Sequence, residues 1–239
     1  MPGTIDECAR EVTSRGGRGI AVRCDHTVDA DVEALFRRIT SDQGRLDLLV
    51  NNVWAGYENS ECRPLPLVPF WEQPLYQWDL MFTAGVRAHL VASRLAVPLM
   101  LPARRGLIVS TTANLEVLPY LRNLFYDLAK NAVARLAWAM AQELREHGIA
   151  AMAVAPGFMR TERVVEAFRR AGAADALNGP GGPKETPAYV GRAIVALASD
   201  AAVLEKSGQL LEVGALAREY GFADVDGTQP APFRISTSK

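Results

Sequence analysis

Tyr126 and Lys130 stand four residues apart in Tyr126-Asp127-Leu128-Ala129-Lys130. On a helix that spacing stacks a phenol and an ammonium on one face, one turn apart. Such a pair suits proton transfer, because a phenol with an ordinary pKa near ~10 is a poor base at neutral pH and a neighbouring cation favours the phenolate. With six tyrosines and four lysines in the chain the spacing also arises by accident, so the pair needs supporting residues. Ser110-Thr111-Thr112 closes one apolar stretch, Pro156-Gly157-Phe158-Met159-Arg160-Thr161 follows another, and Asn51-Asn52-Val53-Trp54-Ala55-Gly56 follows a third. Three polar or glycine-bearing strand exits converging with a tyrosine and a lysine make a constellation.

The elements that must position these groups are legible in the periodicity. Helices are expected over Thr4 to Arg15, Asp29 to Asp42, about Leu75 to Leu101, Leu124 to His147, Thr161 to Ala171 and Pro187 to Ser199, where apolar residues recur at three- and four-residue steps. Short apolar runs at Gly19 to Cys24, Leu46 to Val50, Leu107 to Thr111, Ile149 to Ala155 and Gln209 to Val213 read as strands. This alternation argues for a parallel sheet covered by helices on both faces, with ligands gathered at the carboxyl ends of the strands. Residues 1–239 are expected to form a single α/β unit, with 214–239 as a C-terminal extension.

Composition excludes several classes. Lys plus Arg number 26 and Asp plus Glu 27, giving a net charge of -1 with no long run of either sign, so no nucleic-acid partner is expected. The apolar stretches near Leu95 to Pro102 and Leu136 to Ala141 fall short of the roughly 18 to 20 residues a bilayer span needs, and no membrane partner is expected. The N-terminus carries neither export nor import signal, which implies a cytoplasmic protein. Cys8, Cys24 and Cys62 lack paired ligand spacing, and His26, His89 and His147 stand far apart, so no disulfide framework and no metal site are expected. Trp54, Trp71, Trp78 and Phe70 either line an apolar substrate pocket or pack the loop before the long helix.

These motifs resemble the short-chain dehydrogenase/reductase family over nearly the whole chain, from about residue 4 to residue 227. The resemblance implies a Rossmann-like doubly wound parallel sheet in three α/β/α layers, here lacking the first two strands. It implies hydride transfer between NAD or NADP and a small-molecule carbonyl or alcohol. It makes Tyr126 the general acid/base, and Lys130 the residue that holds the nicotinamide ribose and tunes the tyrosine. Asn51, Asn52, Ala55 and Gly56 match the family's Asn-Asn-Ala-Gly motif with two residues inserted, and Asp25 matches its adenine-contacting aspartate. Pro156, Gly157 and Thr161 match the loop over the nicotinamide carboxamide. The Leu124 to His147 helix is apolar on more than one stripe; one side must meet the sheet, and the resemblance places the other against a second subunit of a homodimer or homotetramer, full intramolecular burial being the alternative.

Three departures bear on the chemistry. The family's carbonyl-polarising serine finds its nearest hydroxyl at Thr112, with Thr111 or Ser110 as fallback. The family's relay asparagine on the long helix falls at Gly85, so that relay runs by another route or is absent. No strand, Gly-rich turn and helix stand ready for the pyrophosphate: Ser14-Arg15-Gly16-Gly17-Arg18-Gly19-Ile20 follows a helix and enters a strand, the reverse of what a phosphate turn needs. Two outcomes follow. Either the sequence is a fragment of a longer chain, or the surviving strands pair directly and dinucleotide binding is weakened or lost. In the second case the chain is a non-catalytic binding or interaction protein, a truncated pseudoenzyme.

Overall fold

The run Ile149-Ala150-Ala151-Met152-Ala153-Val154-Ala155, bounded by Gly148 and Pro156, is apolar throughout, as a strand buried on both faces must be. In the computed structural model, which describes residues 3–55, 68–179, 182 and 184–235, it forms the strand β3 (Ile149–Ala155), with every residue buried. It pairs in parallel with β2 (Gly106–Thr111) on one side and β4 (Leu210–Glu212) on the other, and β2 pairs in parallel with β1 (Leu48–Asn51). The sheet order is β1-β2-β3-β4.

Alternate side chains point to opposite faces of these strands and build two cores. Leu107, Val109, Met152 and Val154 pack with Tyr189, Ala193 and Leu197 of α7 (Pro187–Ser199) and with Leu216 and Ala217 of α8 (Val213–Tyr220). Ile108, Ile149 and Ala151 face the other way, toward α2 (Asp29–Gln43), α4 (Ala88–Met100) and α5 (Leu124–Leu144), through Phe36, Ala92, Met100 and Ala141. The result is the expected three-layer α/β arrangement. On α5 the buried positions Phe125, Ala129, Val133, Ala137 and Ala141 recur every four residues, and the helix lies against the alanine-rich β3. Small residues on both sides of that seam let the helix approach the sheet closely. Leu128 and Trp138, on the outer side of α5, remain 41% and 40% exposed.

The remaining helices largely follow the periodicity, with three differences. The long helix is α3 (Tyr76–Phe82) and α4 joined without a break by a π-helical turn at Thr83–Arg87. Its run Tyr76–Ala103 is long and apolar enough to cross a bilayer by length and composition; 44% of its most apolar window is buried inside the fold, where α4 serves as a core helix. The helix α8 was not expected: it starts inside the stretch read as the last strand, and no side chain caps its first turn to announce it.

The third difference is a correction. Gly19 to Cys24 does not join the sheet, and β1 has only β2 beside it among the described residues. An extended stretch becomes a strand only when a partner takes its ladder groups. Here the Gly19 amide donates instead to Thr13 Oγ1, in the helix α1 (Ile5–Ser14), and Cys24 packs onto the core beside α2. Direct pairing of the surviving strands is therefore not what the chain adopts. A cavity of about 320 Å³ lies beside β1, lined by Phe36, Leu46, Leu49, Asn52 and His89 among others. The helix α6 (Glu162–Arg170) completes the elements that surround the site.

Candidate active site

Because all four strands are parallel, the exits of β1, β2 and β3 lie on one edge of the sheet, and there they border a cleft of about 990 Å³. Asn52, Thr111, Thr112, Tyr126, Lys130, Pro156, Gly157 and Thr161 all line it. Tyr126 enters from the first turn of α5, whose N-cap Asn123 accepts the Tyr126 amide through Oδ1 at 3.0 Å. Lys130 follows one turn later. Its ammonium lies 3.7 Å above the indole centroid of Trp54 and 5.7 Å from the centre of the Tyr126 ring. Burial pushes the Lys130 ammonium down to about 8, within reach of physiological pH.

Thr112 is buried, and its hydroxyl donates to the backbone carbonyl of Lys130 at 2.7 Å. The single proton expected to polarise a substrate carbonyl is thus committed to tying α5 to the end of β2. The Thr111 hydroxyl donates to Asn52 Oδ1 at 2.8 Å, and Ser110 is fully buried, its Oγ receiving Asn51 Nδ2 at 3.4 Å. The Thr111 and Thr112 protons are thus committed to other acceptors, and Ser110 does not line the cleft.

The residues expected from resemblance divide accordingly. Asn51 does not line the cleft; it is 4% exposed, and its amide also donates to Ser93 Oγ at 3.0 Å, pinning β1 to α4. Asp25 is exposed and also stands outside the cleft lining. Its carboxylate accepts both the amide and the hydroxyl of Thr27, at 2.9 and 2.6 Å, which hold it below the usual carboxylate range. Gly56 lies outside the described residues. Thr161 caps α6, accepting the Val164 amide at 3.3 Å. No cluster of metal-ligating side chains occurs among the described residues.

Sequence reasoning missed two features, and its aromatic cluster divides. Glu185 is buried under the turn after β3 and accepts the Gly157 amide at 2.8 Å through Oε2; burial, with the Asp224 and Glu212 carboxylates nearby, pushes it up to about 7. The C-terminal stretch returns across this end of the sheet and puts Phe233 and Ile235 into the cleft wall, held by an Arg234–Glu212 ion pair at 2.6 Å. Trp54 is the only one of the four aromatics in question that lines the cleft. Trp78 stacks on Phe82 at 3.8 Å, while Phe70 and Trp71 are exposed and meet edge to face. The C-terminal part of the cleft wall and the buried carboxylate had no motif to announce them.

Residues 2–171 match the family model described as short chain dehydrogenase. The chain belongs to that family. Membership makes it an oxidoreductase acting on CH–OH groups. It is 36% identical over 233 residues to mouse dehydrogenase/reductase SDR family member 1, covering 94% of this chain and 72% of that protein. It is 32% identical over 197 residues to cis-4-hydroxycyclohexanecarboxylate dehydrogenase of Sinomonas cyclohexanicum, covering 82% and 76%. Among solved structures, a hydroxysteroid dehydrogenase from Escherichia coli superposes with a TM-score of 0.71 at 26% identity, covering 87% of this chain and 80% of that one.

Proposed function

We propose that the cleft reduces or oxidises an apolar carbonyl or alcohol with a nicotinamide cofactor, NAD or NADP, and that Tyr126 moves the proton. The observation that carries this reading is the placement of Tyr126, Lys130, Asn52 and Thr161 around one cleft at the carboxyl edge of a parallel sheet. The donor set fits the nicotinamide end of such a cofactor. Lys130 would hold the ribose hydroxyls, and the Pro156-Gly157 turn with Thr161 would receive the carboxamide. The pyrophosphate end has no strand, Gly-rich turn and helix among the described residues. When bound, the cofactor supplies or accepts the hydride.

The chain's own residues do the rest. Tyr126 Oη donates to the substrate oxygen in reduction and takes the proton back in oxidation, with the Lys130 ammonium one turn away as the charge a phenolate requires. Thr112 acts as a positioning residue through the Lys130 carbonyl. Since burial sets Lys130 near 8, the cation is lost as pH rises through that value, and turnover falls with it. Leu118, Leu121, Phe158, Phe233 and Ile235 give the remainder of the cleft an apolar wall, suited to a bulky alicyclic substrate. The exposed Leu128 and Trp138 on α5 suit contact with a second copy of the chain, and the free thiols Cys8 and Cys24 suit a reducing compartment such as the cytoplasm.

Tyr126→Phe is expected to remove at least about 99% of turnover while leaving cofactor affinity within a few-fold, a barrier increase of a few kcal/mol. Retained turnover refutes the assignment. Isothermal titration with NADH and NADPH measures the cofactor binding that this reading requires, and no binding of either refutes it.

A further inference from the structure

The two residues inserted in the Asn-Asn-Ala-Gly motif place an indole where the long helix has no side chain. Gly85 lies buried in the π-helical turn Thr83–Arg87, and a Cβ built on it would stand 2.5 Å from Cε3 and Cζ3 of Trp54. No residue larger than glycine leaves that space open, and a π-turn in mid-helix is a departure from regular winding that recurs at functional sites. The indole is fixed from other sides as well. It packs against a small core of Met81, Phe125 and Ala129, and the Val53 carbonyl beside it accepts His89 Nε2 at 3.0 Å. Tyr126 meets it edge to face, ring centroids 5.6 Å apart and planes at 83°. Lys130 Nζ lies above its face at 3.7 Å.

We propose that Trp54 is a positioning residue for the Tyr126 and Lys130 pair, its indole, admitted by the absent side chain at Gly85, forming the platform on which the ammonium and the phenol ring are both seated. The inference rests on the oxidoreductase reading above. An aromatic face attracts a cation without neutralising it and without taking a hydrogen-bond donor in the way a carboxylate would. The ammonium keeps both its charge and its N–H groups for the cleft. The same ring edge-locks Tyr126, so phenol and cation share one reference surface instead of depending on two independent side-chain rotamers.

The sign of the pH effect follows from two opposed contributions. Burial disfavours the Lys130 cation, and the indole face offsets part of that. Trp54→Leu keeps the apolar bulk and removes the ring, so the cation is lost at lower pH. The other titratable groups facing the cluster are Tyr126 on α5 and His89 on α4, the latter pushed by burial to about 4 and therefore neutral throughout the relevant range; the end of β2 and the residue after it contribute the Thr111 and Thr112 hydroxyls.

Two measurements test this. With the ε-carbon of lysine labelled by 13C in the intact chain, which holds four lysines, the Lys130 signal is assigned by its loss in Lys130→Arg. Its Hε protons are expected upfield through the indole ring current, and that displacement disappears in Trp54→Leu and returns in part in Trp54→Phe. In turnover, Trp54→Leu is expected to lower kcat/KM roughly 2- to 30-fold and to move the alkaline limb down by about half to one pH unit, with partial rescue by Trp54→Phe. Should Trp54→Leu fail to fold, Gly85→Ala, which drives a methyl into the indole, is expected to give the same loss of ring-current displacement. An undisplaced Lys130 signal in the unmodified chain, or an unmoved alkaline limb in the variants, overturns the proposal. Full turnover in Tyr126→Phe overturns the assignment of proton transfer to Tyr126 instead, whatever the lysine signal shows.

Discussion

Glu185→Gln tests whether the turn after β3 sits on a carboxyl group that the fold keeps protonated. Glu185 is 2% exposed, and burial raises it from an ordinary value near 4.5 to about 7. Below about pH 4.5 the group is protonated in both the folded and the unfolded chain and costs nothing. Between about 4.5 and 7 the unfolded chain releases the proton and the folded chain retains it, so folding stability falls with rising pH, and above about 7 the loss is complete. The full difference corresponds to about 3 kcal/mol, an upper figure for a single carboxyl group. Gln retains an oxygen to accept the Gly157 amide and cannot ionise. Its stability relative to the unmodified chain is therefore expected to rise by about 3 kcal/mol from pH 4.5 to 7 and then level off. For a protein of this size that is a gain of about 6 to 12 °C in Tm. Thermal unfolding of both chains at half-unit pH intervals gives the difference curve directly. A flat curve, or one rising only above pH 7, refutes the claim that desolvation dominates at Glu185.

Three further perturbations probe how the cleft is held. Thr112→Val is expected to lower kcat less than about tenfold and to cost about 1 kcal/mol in stability, with Thr112→Ser close to the unmodified chain; a loss of about 100- to 1000-fold would restore Thr112 as the carbonyl polariser. In Gly214→Ala a Cβ would meet the backbone nitrogen of Pro232 at 2.5 Å, so the C-terminal stretch must lift; KM for apolar substrates is expected to rise several-fold, and trypsin should cut more readily after Arg234. Asn123→Ala removes the acceptor of the Tyr126 amide and is expected to cost about 1 kcal/mol in denaturant unfolding, as loss of a helix N-cap does.

Strands and helices were legible where local pattern and tertiary demand agreed. The seven apolar residues of β3 between glycine and proline have no other stable environment, and the strand was read to the residue. The same logic failed at Gly19 to Cys24, because β propensity specifies a conformation and not a partner for its ladder. Of the site, the convergence of Tyr126, Lys130 and the exits of β2 and β3 on one cleft was legible, because helical spacing and position at strand ends fix where such side chains lie. Asn51 and Asp25 bond to neighbouring groups and stand outside the cleft lining, which only coordinates reveal. Phe233 reaches the cleft, and Glu185 the turn beside it, from distant sequence with no motif, although a glycine in mid-helix together with a tryptophan-bearing insertion was a readable sign of close packing between Gly85 and Trp54.

The alanine seam between α5 and β3 has a consequence well away from the chemistry. Where helix and sheet are separated by little more than methyl groups, the core acts as a ruler with no slack. A bulkier residue at Ala137 or Ala141, three to four turns along the helix from the reacting groups, cannot be absorbed locally and has to tilt the rod that carries them. A displacement of about 1 Å at the far end is enough to cost roughly a hundredfold in rate. If Tyr126 and Lys130 act as proposed, catalytic tuning is inherited from the thickness of this hydrophobic mortar, and loss of activity is expected to precede loss of folding when that layer is thickened.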